Sequence, residues 1–290
     1  MSKLYCLKPL RFGAEIFGLD LKKSLSNDVI SQIKKDVTKY RLVIFRNQGQ
    51  VSGDRHVEIA EWFGKIDNVT FTKHPMSPNV NVFRVSNDPQ QGCTGVGTTG
   101  WHIDGTFRKC PYSYSLYHMY EVPHTGGDTM FFPFTELIEH LPKNLRLNLE
   151  KLWMLSDRRG KLIHPLIYPH PKTGRPTMCM HLGMINAFIH NYQSLDPSDE
   201  AQLLSVEETQ DVLTEIQSSI DKYADIYSHN WQKSGDLIIS DNLAVAHQAG
   251  PISRSVAESG LRVLHRVTVL GTEIPKKQYS CYPDQDNCAY

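Results

Sequence analysis

Trp101-His102-Ile103-Asp104-Gly105-Thr106 is the stretch that decides the fold and chemistry predicted for this chain. It places an imidazole and a carboxylate two positions apart. Side chains two apart point to the same face of an extended strand, so His102 and Asp104 could hold one ion together. A helix would turn them about 200° apart, and the flanking Thr and Gly residues favour a strand or loop. One His and one Asp leave a metal under-coordinated, so the pattern predicts a third protein ligand elsewhere.

Length and composition indicate a globular protein with a net charge of zero at pH 7. The 290 residues could bury one large core or two modest ones. No repeat or linker marks a boundary, so a single domain over residues 1–290 is expected. Lys plus Arg equals Asp plus Glu at 31 each, which gives no indication of nucleic acid or an anionic membrane as a partner. The six cysteines form no CxxC pair, which argues against a zinc cluster and a dense disulfide scaffold.

The N-terminus and the hydropathy pattern bear on the cellular location. Residues 1–4 open no secretory signal, and no apolar run reaches the roughly 18 residues that a membrane span needs. A cytoplasmic protein with no membrane partner is therefore expected.

Hydrophobic periodicity predicts a mostly β protein with added helices. Many short strands separated by turn signals indicate a two-sheet jelly roll, or double-stranded β-helix, with helical additions. The aromatic strand 112–120 could line an apolar wall or form plain core. Strands are expected within 9–21 and at 41–45, 80–85, 112–120, 128–132, 163–168, 237–240 and 261–269, and helices after Ser26 and at about 54–63, 135–149 and 205–222.

A second set of polar residues follows in the C-terminal third. His247 lies at the far end of an apolar segment, ahead of a Gly-Pro turn, where it could be the third ligand. Two His and one carboxylate are the ligand set of non-haem Fe(II) oxygenases. Arg262 and Arg266, four apart on a predicted strand, would share one face. An apolar strand directs two arginines inward only toward an anion, and the guanidinium fork suits a carboxylate. From this segment alone, a solvated face or structural ion pairs are equally open.

Taken together, these motifs resemble the taurine dioxygenase (TauD/TfdA) family of Fe(II)- and 2-oxoglutarate-dependent oxygenases. The resemblance covers roughly residues 10–272 and keeps the family's order. Besides the His-x-Asp triplet and His247, it rests on Gly126-Gly127-Asp128-Thr129, His164-Pro165, Gly235-Asp236-Leu237 and Arg262-Val263-Leu264-His265-Arg266.

The resemblance implies roles for individual residues. His102, Asp104 and His247 would bind Fe(II). Thr129 and Arg262 would hold the distal carboxylate of 2-oxoglutarate, and Arg266 would contact an anionic substrate or lie beside it. His74 occupies a place where taurine-type enzymes use a histidine on the substrate, with an ordinary loop histidine as an equal alternative. Five further histidines lack ligand-like spacing and are interpreted as structural: His118, His124, His164, His170 and His265.

The activity implied is oxidation of a C–H bond of a small anionic organic substrate by O2, with release of succinate and CO2. Asp104 favours hydroxylation, because halogenating relatives lack this carboxylate; cleavage, desaturation and isonitrile formation stay open. Two alternatives belong to other classes: a non-catalytic metal-binding jelly roll acting as sensor or scaffold, and a cupin-type hydrolase or isomerase using zinc or manganese. Relatives are often dimers or tetramers, so a homo-oligomer is also open.

Overall fold

A computed structural model describes residues 4–67, 74–157, 162–233 and 235–277. The strands in these ranges are β1 (Cys6–Pro9), β2 (Ala14–Phe17), β3 (Leu42–Phe45), β4 (Phe83–Ser86), β5 (Tyr114–Glu121), β6 (Thr129–Pro133), β7 (Leu152–Ser156), β8 (Ile163–Pro165), β9 (Ile167–Pro169), β10 (Pro176–Met178), β11 (Ile185–His190), β12 (Gln202–Leu203), β13 (Tyr227–His229), β14 (Leu237–Asp241), β15 (Val245–Ala249) and β16 (Val263–Val269). The helices are α1 (Asn27–Tyr40), α2 (Gly53–Glu61), α3 (Phe134–His140), α4 (Lys143–Lys151), α5 (Val206–Tyr223) and α6 (Val256–Ser259).

The larger sheet has seven strands in the order β1-β2-β3-β14-β5-β16-β4. The pair β2–β3 is parallel, and the other pairs are antiparallel. A smaller antiparallel sheet, β13-β6-β15, faces it. Tyr117 and Ile238 from the larger sheet share one apolar cluster with Phe131 and Val245 from the smaller one. Two antiparallel sheets packed face to face around such a core are the expected jelly roll.

Two N-terminal helices cover the outer face of the larger sheet. Ser26 caps α1 by accepting a hydrogen bond from the Val29 amide at 3.4 Å. Ile33 of α1 and Ile59 of α2 are fully buried in one cluster with Leu116 and other residues of the sheet. Helix α2 ends at Glu61, two residues before the predicted end at about residue 63. The predicted order of helix, strand and helix is therefore present, and the two helices leave the inner face of the sheet for the site.

One predicted helix is divided in two. The segment 135–149, predicted to be helical, contains the end of α3 at His140 and the start of α4 at Lys143. Leu141 between them is extended, with φ −64° and ψ 142°. A proline disfavours the helical conformation of the residue before it and has no amide proton for a helical hydrogen bond, so Pro142 separates the two helices.

A third layer packs beside the smaller sheet. Helix α5 matches the predicted 205–222, and its start is fixed by a reciprocal capping box between Ser205 and Glu208. Val212, Ile216 and Ile220 of α5 are buried in the largest apolar cluster. The antiparallel sheet β12-β11-β7-β8, which belongs to this layer, includes strands that the sequence patterns missed. Within the described ranges, no helix has the length and apolar character to cross a membrane.

Candidate metal centre and active site

The His-x-Asp segment is extended, as predicted, but it is held by single bridges rather than inside a longer strand. His102 and His247 exchange both main-chain hydrogen bonds, at 3.1 and 2.9 Å. On its other side, the Ile103 amide donates to the Met180 carbonyl and the Leu182 amide donates to the Trp101 carbonyl, each at 3.0 Å. The segment thus extends the smaller sheet beyond β15 and places His102 directly beside His247.

The three predicted metal ligands converge. One possible ligand atom from each of His102, Asp104 and His247 lies within 4.8 Å of the others, and all three residues are buried. The His247 Nε2 atom is 3.6 Å from Asp104 Oδ2, and the centroids of the two imidazole rings are 4.2 Å apart. Among the residues that the structure describes, this is the cluster of His, Cys, Asp and Glu whose spacing could hold a metal ion.

The protonation of both histidines suits a metal ligand. His102 Nδ1 lies 2.7 Å from the Gly100 carbonyl oxygen. A carbonyl only accepts, so Nδ1 carries the proton and Nε2 keeps its lone pair for a metal. Burial lowers the pKa of His102 to about 3 and that of His247 to about 4. Both rings are therefore neutral near pH 7, the form that binds metals.

Asp104 is oriented by three neighbours. Ser115 Oγ donates to its Oδ2 at 2.8 Å, and Arg266 Nη1 donates to its Oδ1 at 2.7 Å. The side chain of Asn242 accepts from the Asp104 amide at 2.9 Å and donates to the Asp104 carbonyl at 3.0 Å. Burial alone would raise the pKa of Asp104, but Arg266 and the two histidines hold it well below its usual value. The carboxylate is thus ionised and fixed in place.

This donor set fits a ferrous ion. Two neutral imidazoles and one carboxylate are the protein ligands of non-haem Fe(II) sites, which leave further positions for small molecules. Hydrogen bonds to the carboxylate and to Nδ1 of a ligating histidine are the outer contacts that orient metal ligands. Both kinds of contact are present, on Asp104 and on His102.

Arg262 is a buried cation without a carboxylate partner. It is 5 % exposed and belongs to none of the ion pairs within the described ranges. Its Nε donates to the Gly127 carbonyl at 3.0 Å. Burial lowers the pKa of Arg262 to about 10, opposed by Asp128, so the guanidinium is charged near pH 7. A buried charge is stable only with a counter-charge, so the site favours a bound anion.

Thr129 begins β6, two residues after Gly127, whose carbonyl accepts from Arg262. Its Oγ1 accepts a hydrogen bond from the Trp231 indole at 3.1 Å. With this acceptor position used, the hydroxyl proton of Thr129 is free to donate. A hydroxyl donor near an uncompensated guanidinium is a suitable arrangement for a carboxylate.

The two arginines do not share one regular strand face. Strand β16 begins at Val263, and its pairing with β5 shifts register between Val263 and Leu264. Arg262 therefore lies outside the ladder and contacts Gly127, whereas Arg266 lies inside it and contacts Asp104. The bulge was not visible in the sequence, because it depends on the partner strand.

His74 lies in a loop and makes local contacts. Its Nε2 is 3.2 Å from the Pro89 carbonyl, and its Nδ1 accepts from the Met76 amide at 3.3 Å. Both ring nitrogens are thus engaged by nearby backbone. The substrate role stays a prediction, and these contacts favour the alternative of a loop histidine.

Several residues of the site were not found from the sequence. The His181 ring stacks on His102 with centroids 4.4 Å apart, and burial lowers the pKa of His181 to about 3. Ser115, Asn242 and Trp231 contact predicted site residues as described above. No fixed spacing in the sequence links these residues to their partners.

Comparison with known proteins agrees with this geometry. A model of the Taurine catabolism dioxygenase TauD, TfdA family matches residues 5–268. The chain is 24 % identical over 291 residues to an alkylsulfatase of Acinetobacter baylyi, covering 90 % of this chain and 83 % of that protein. It is 25 % identical over 297 residues to an alpha-ketoglutarate-dependent 2,4-dichlorophenoxyacetate dioxygenase of Cupriavidus pinatubonensis, covering 91 % and 96 %.

The fold also matches solved structures. A crystal structure of a taurine dioxygenase from Burkholderia xenovorans superimposes with a TM-score of 0.72 at 23 % identity, covering 94 % of this chain and 93 % of that one. The family match spans the candidate metal ligands and both arginines. The chain therefore belongs to the taurine catabolism dioxygenase (TauD/TfdA) family.

Proposed function

We propose that this protein is an Fe(II)- and 2-oxoglutarate-dependent dioxygenase that oxidises a C–H bond of a small anionic organic substrate and releases succinate and CO2. The observation that carries the proposal is the convergence of His102, Asp104 and His247 within 4.8 Å in a buried position. Family membership gives the reaction class, and the ligand set agrees with it.

In this proposal His102, Asp104 and His247 would hold the iron. The iron would supply the redox chemistry that couples O2 to decarboxylation of the keto acid and to oxidation of the substrate. The chain contributes binding, orientation and exclusion of water. Ser115 and Arg266 keep the Asp104 carboxylate in one orientation, and burial keeps both histidines neutral.

The proposed position of the distal carboxylate of 2-oxoglutarate is at Arg262 and Thr129. The support is the buried charge of Arg262, which has no carboxylate partner in the described ranges, and the free hydroxyl proton of Thr129. An ionised carboxylate would satisfy both, and a guanidinium can bind it through two parallel hydrogen bonds.

The proposed substrate is an anion that approaches Arg266. Nη1 of this residue is used by Asp104, but its Nε is buried without a hydrogen-bond partner. An unused buried donor on a cation favours an additional anionic acceptor. Two of the relatives above are named for an alkylsulfatase activity and for 2,4-dichlorophenoxyacetate, so sulfate esters, sulfonates and aryloxy acids are the first candidates.

The test is release of succinate from 2-oxoglutarate, with Fe(II) and ascorbate, over a panel of sulfate esters, sulfonates, aryloxy acids and amino acids. Substrate-dependent succinate is expected in the wild type and none in Asp104→Ala, because the variant loses one of three metal ligands. Asp196→Ala, which removes an exposed carboxylate, is the control. Full activity of Asp104→Ala would refute the assignment. Metal binding without consumption of 2-oxoglutarate would favour a non-catalytic sensor or scaffold. Activity only with zinc or manganese would favour a cupin-type hydrolase or isomerase.

A further inference from the structure

Within the described ranges, no residue makes a hydrogen bond of normal geometry with the buried hydroxyl group of Tyr117. The residue is 2 % exposed, near the middle of β5. Buried polar groups in folded proteins almost always have a partner, and leaving one unsatisfied costs about 1–3 kcal/mol. Such a group next to a candidate ligand site needs an explanation.

The Tyr117 side chain lies beside the candidate metal ligands. Tyr117 is directly opposite Arg266 in the β5–β16 ladder, so both side chains project from the same face of the sheet. Its ring meets the His247 ring edge-on, with centroids 5.5 Å apart, and meets Phe131 at 5.8 Å. These contacts fix the ring, and the hydroxyl is left among the groups that would surround the metal.

The Ser115 hydroxyl interacts with that of Tyr117 from two residues earlier on the same face, but its own proton is donated to Asp104. The other Asp104 oxygen accepts from Arg266. A phenol is protonated near pH 7, so the Tyr117 hydroxyl can donate its proton to an anionic acceptor.

We propose that the Tyr117 hydroxyl donates a hydrogen bond to 2-oxoglutarate, at the end of the cosubstrate that chelates the metal. The inference rests on the proposed function. The distal carboxylate is assigned to Arg262 and Thr129, whereas the neighbours of Tyr117 are His247 and Arg266. The keto and carboxylate oxygens at the metal end are the acceptors that this position suits.

The test compares Tyr117→Phe with the wild type and with Tyr120→Phe. The substitution removes one oxygen and keeps the ring that packs on His247. Tyr120 is on the same strand but three residues away, so it projects from the opposite face, where it stacks on His265 with centroids 5.0 Å apart. It is therefore a matched control for loss of a tyrosine hydroxyl outside the site.

Two measurements do not depend on turnover. The first is the dissociation constant of 2-oxoglutarate for the Mn(II)-loaded protein, by calorimetry. The second is the charge-transfer absorption of the anaerobic Fe(II) protein with 2-oxoglutarate, which responds to hydrogen bonds on the chelating oxygens. Tyr117→Phe is expected to weaken 2-oxoglutarate binding about tenfold or more, as for a hydrogen bond to a charged group, and to shift the absorption band. Tyr120→Phe is expected to change neither.

Thermal unfolding of the metal-free proteins separates a binding role from a structural one. Because the described residues give this hydroxyl no hydrogen bond of normal geometry, metal-free Tyr117→Phe is expected to unfold at the wild-type temperature or above. An unchanged dissociation constant and absorption band in Tyr117→Phe would overturn the inference, as would a lower unfolding temperature with unchanged 2-oxoglutarate binding. If the wild type itself binds no 2-oxoglutarate, the proposed function fails, and the inference fails with it.

Discussion

Arg262 keeps a full positive charge in a buried position where the protein offers it one carbonyl oxygen. Its Nε donates to Gly127, and it has no ion pair within the described ranges. Arg266 is also a guanidinium of the site, but it is paired with Asp104 at 2.7 Å. The two arginines therefore differ in what they can offer a ligand: Arg262 has its full charge available, whereas Arg266 has only the part of its guanidinium that Asp104 does not use.

Arg262→Gln is expected to raise the 2-oxoglutarate concentration needed for half-saturation by about 100-fold, because breaking a buried charge pair costs about 3 kcal/mol. Glutamine can still donate a hydrogen bond nearby but carries no charge. Titration of succinate release against 2-oxoglutarate measures the effect, with Arg254→Gln, on an exposed arginine, as the control. Unchanged saturation in Arg262→Gln would give this arginine another role.

The sequence predicted the site residues that lie in a recognisable pattern. His102 and Asp104 are two apart, His247 precedes a Gly-Pro turn, and Arg262 is four residues before Arg266; the resemblance added Thr129. Residues that support them were missed, because they become neighbours only through pairing of distant strands. Ser115 lies next to Asp104 because β5 runs beneath the site, and His181 lies next to His102 because residues 180–182 pair with 101–103.

Strands β5 and β16 with helix α2 carry a second group of histidines, on the face of the sheet away from the site. His118 and His265 project from the two strands, and His56 projects from α2. Ring centroids are 6.2 Å apart for His56 and His118 and 6.4 Å apart for His118 and His265. Burial lowers the pKa of all three, to about 3 for His265, where Arg84 adds to the effect. Asp236 opposes the shift at His118.

These histidines are expected to make the fold sensitive to acid. An unfolded histidine takes up a proton near pH 6.5, whereas the folded chain keeps the three rings neutral to lower pH. Their contribution is complete above pH 6.5 and is lost as pH falls below it; for His265 the loss is about 2 kcal/mol at pH 5. His56→Leu is expected to reduce the loss of unfolding free energy between pH 7.5 and pH 5, because burial and the neighbouring His118 and His265 disfavour the charged form of His56 in the folded protein.

Chemical denaturation of the metal-free protein at the two pH values measures this effect. The contribution of the metal-site histidines is common to both variants and cancels in the comparison. His124→Leu, on an exposed histidine, is the control and is expected to keep the wild-type pH dependence. Equal pH dependence in His56→Leu and the wild type would contradict the prediction.

Elements with their own start and stop signals were predicted well. Helices α1 and α5 begin at the serine caps that the sequence carries, Ser26 and Ser205. Strands β7 and β11 were missed, because their alternation is weak and their pairing joins residues about 30 positions apart. The bulge at Tyr120 in β5, opposite the start of β16, was missed for a similar reason: it is a property of the pair of strands.

Strands that are far apart in the sequence pair with one another in the larger sheet. Both ends of the described chain contribute to the seven-stranded sheet, with β1 and β2 near the N-terminus and β16 near the C-terminus. Arg46 connects these parts: it donates to Glu15 in β2 at 2.5 Å and to Asp236, ahead of β14, at 2.7 Å. The single domain over residues 1–290 stays a prediction.

Arg46→Met is expected to lower the free energy of unfolding by about 3 kcal/mol, because it removes the closest counter-charge of two buried carboxylates and leaves Glu15 with only the longer contact to the exposed Lys8. The Asp236 side chain is 0 % exposed and that of Glu15 is 11 % exposed. Arg11→Met removes an ion pair with Asp225 whose arginine is 86 % exposed, so it is expected to cost less than about 1 kcal/mol. Denaturant midpoints measure both, and similar values would show that the Arg46 contacts contribute little.

The reciprocal main-chain hydrogen bonds between His102 and His247 determine how the protein responds to loss of its metal ion. Because the two residues are a hydrogen-bonded pair, their Cα atoms are held about 5.5 Å apart by the backbone. Folding, rather than the ion, positions two of the three ligands, in contrast to small zinc domains that are unfolded without metal. A protein inactivated by loss or oxidation of its iron should therefore be restored by fresh ferrous ion without refolding, and other divalent ions should exchange into it in the same way.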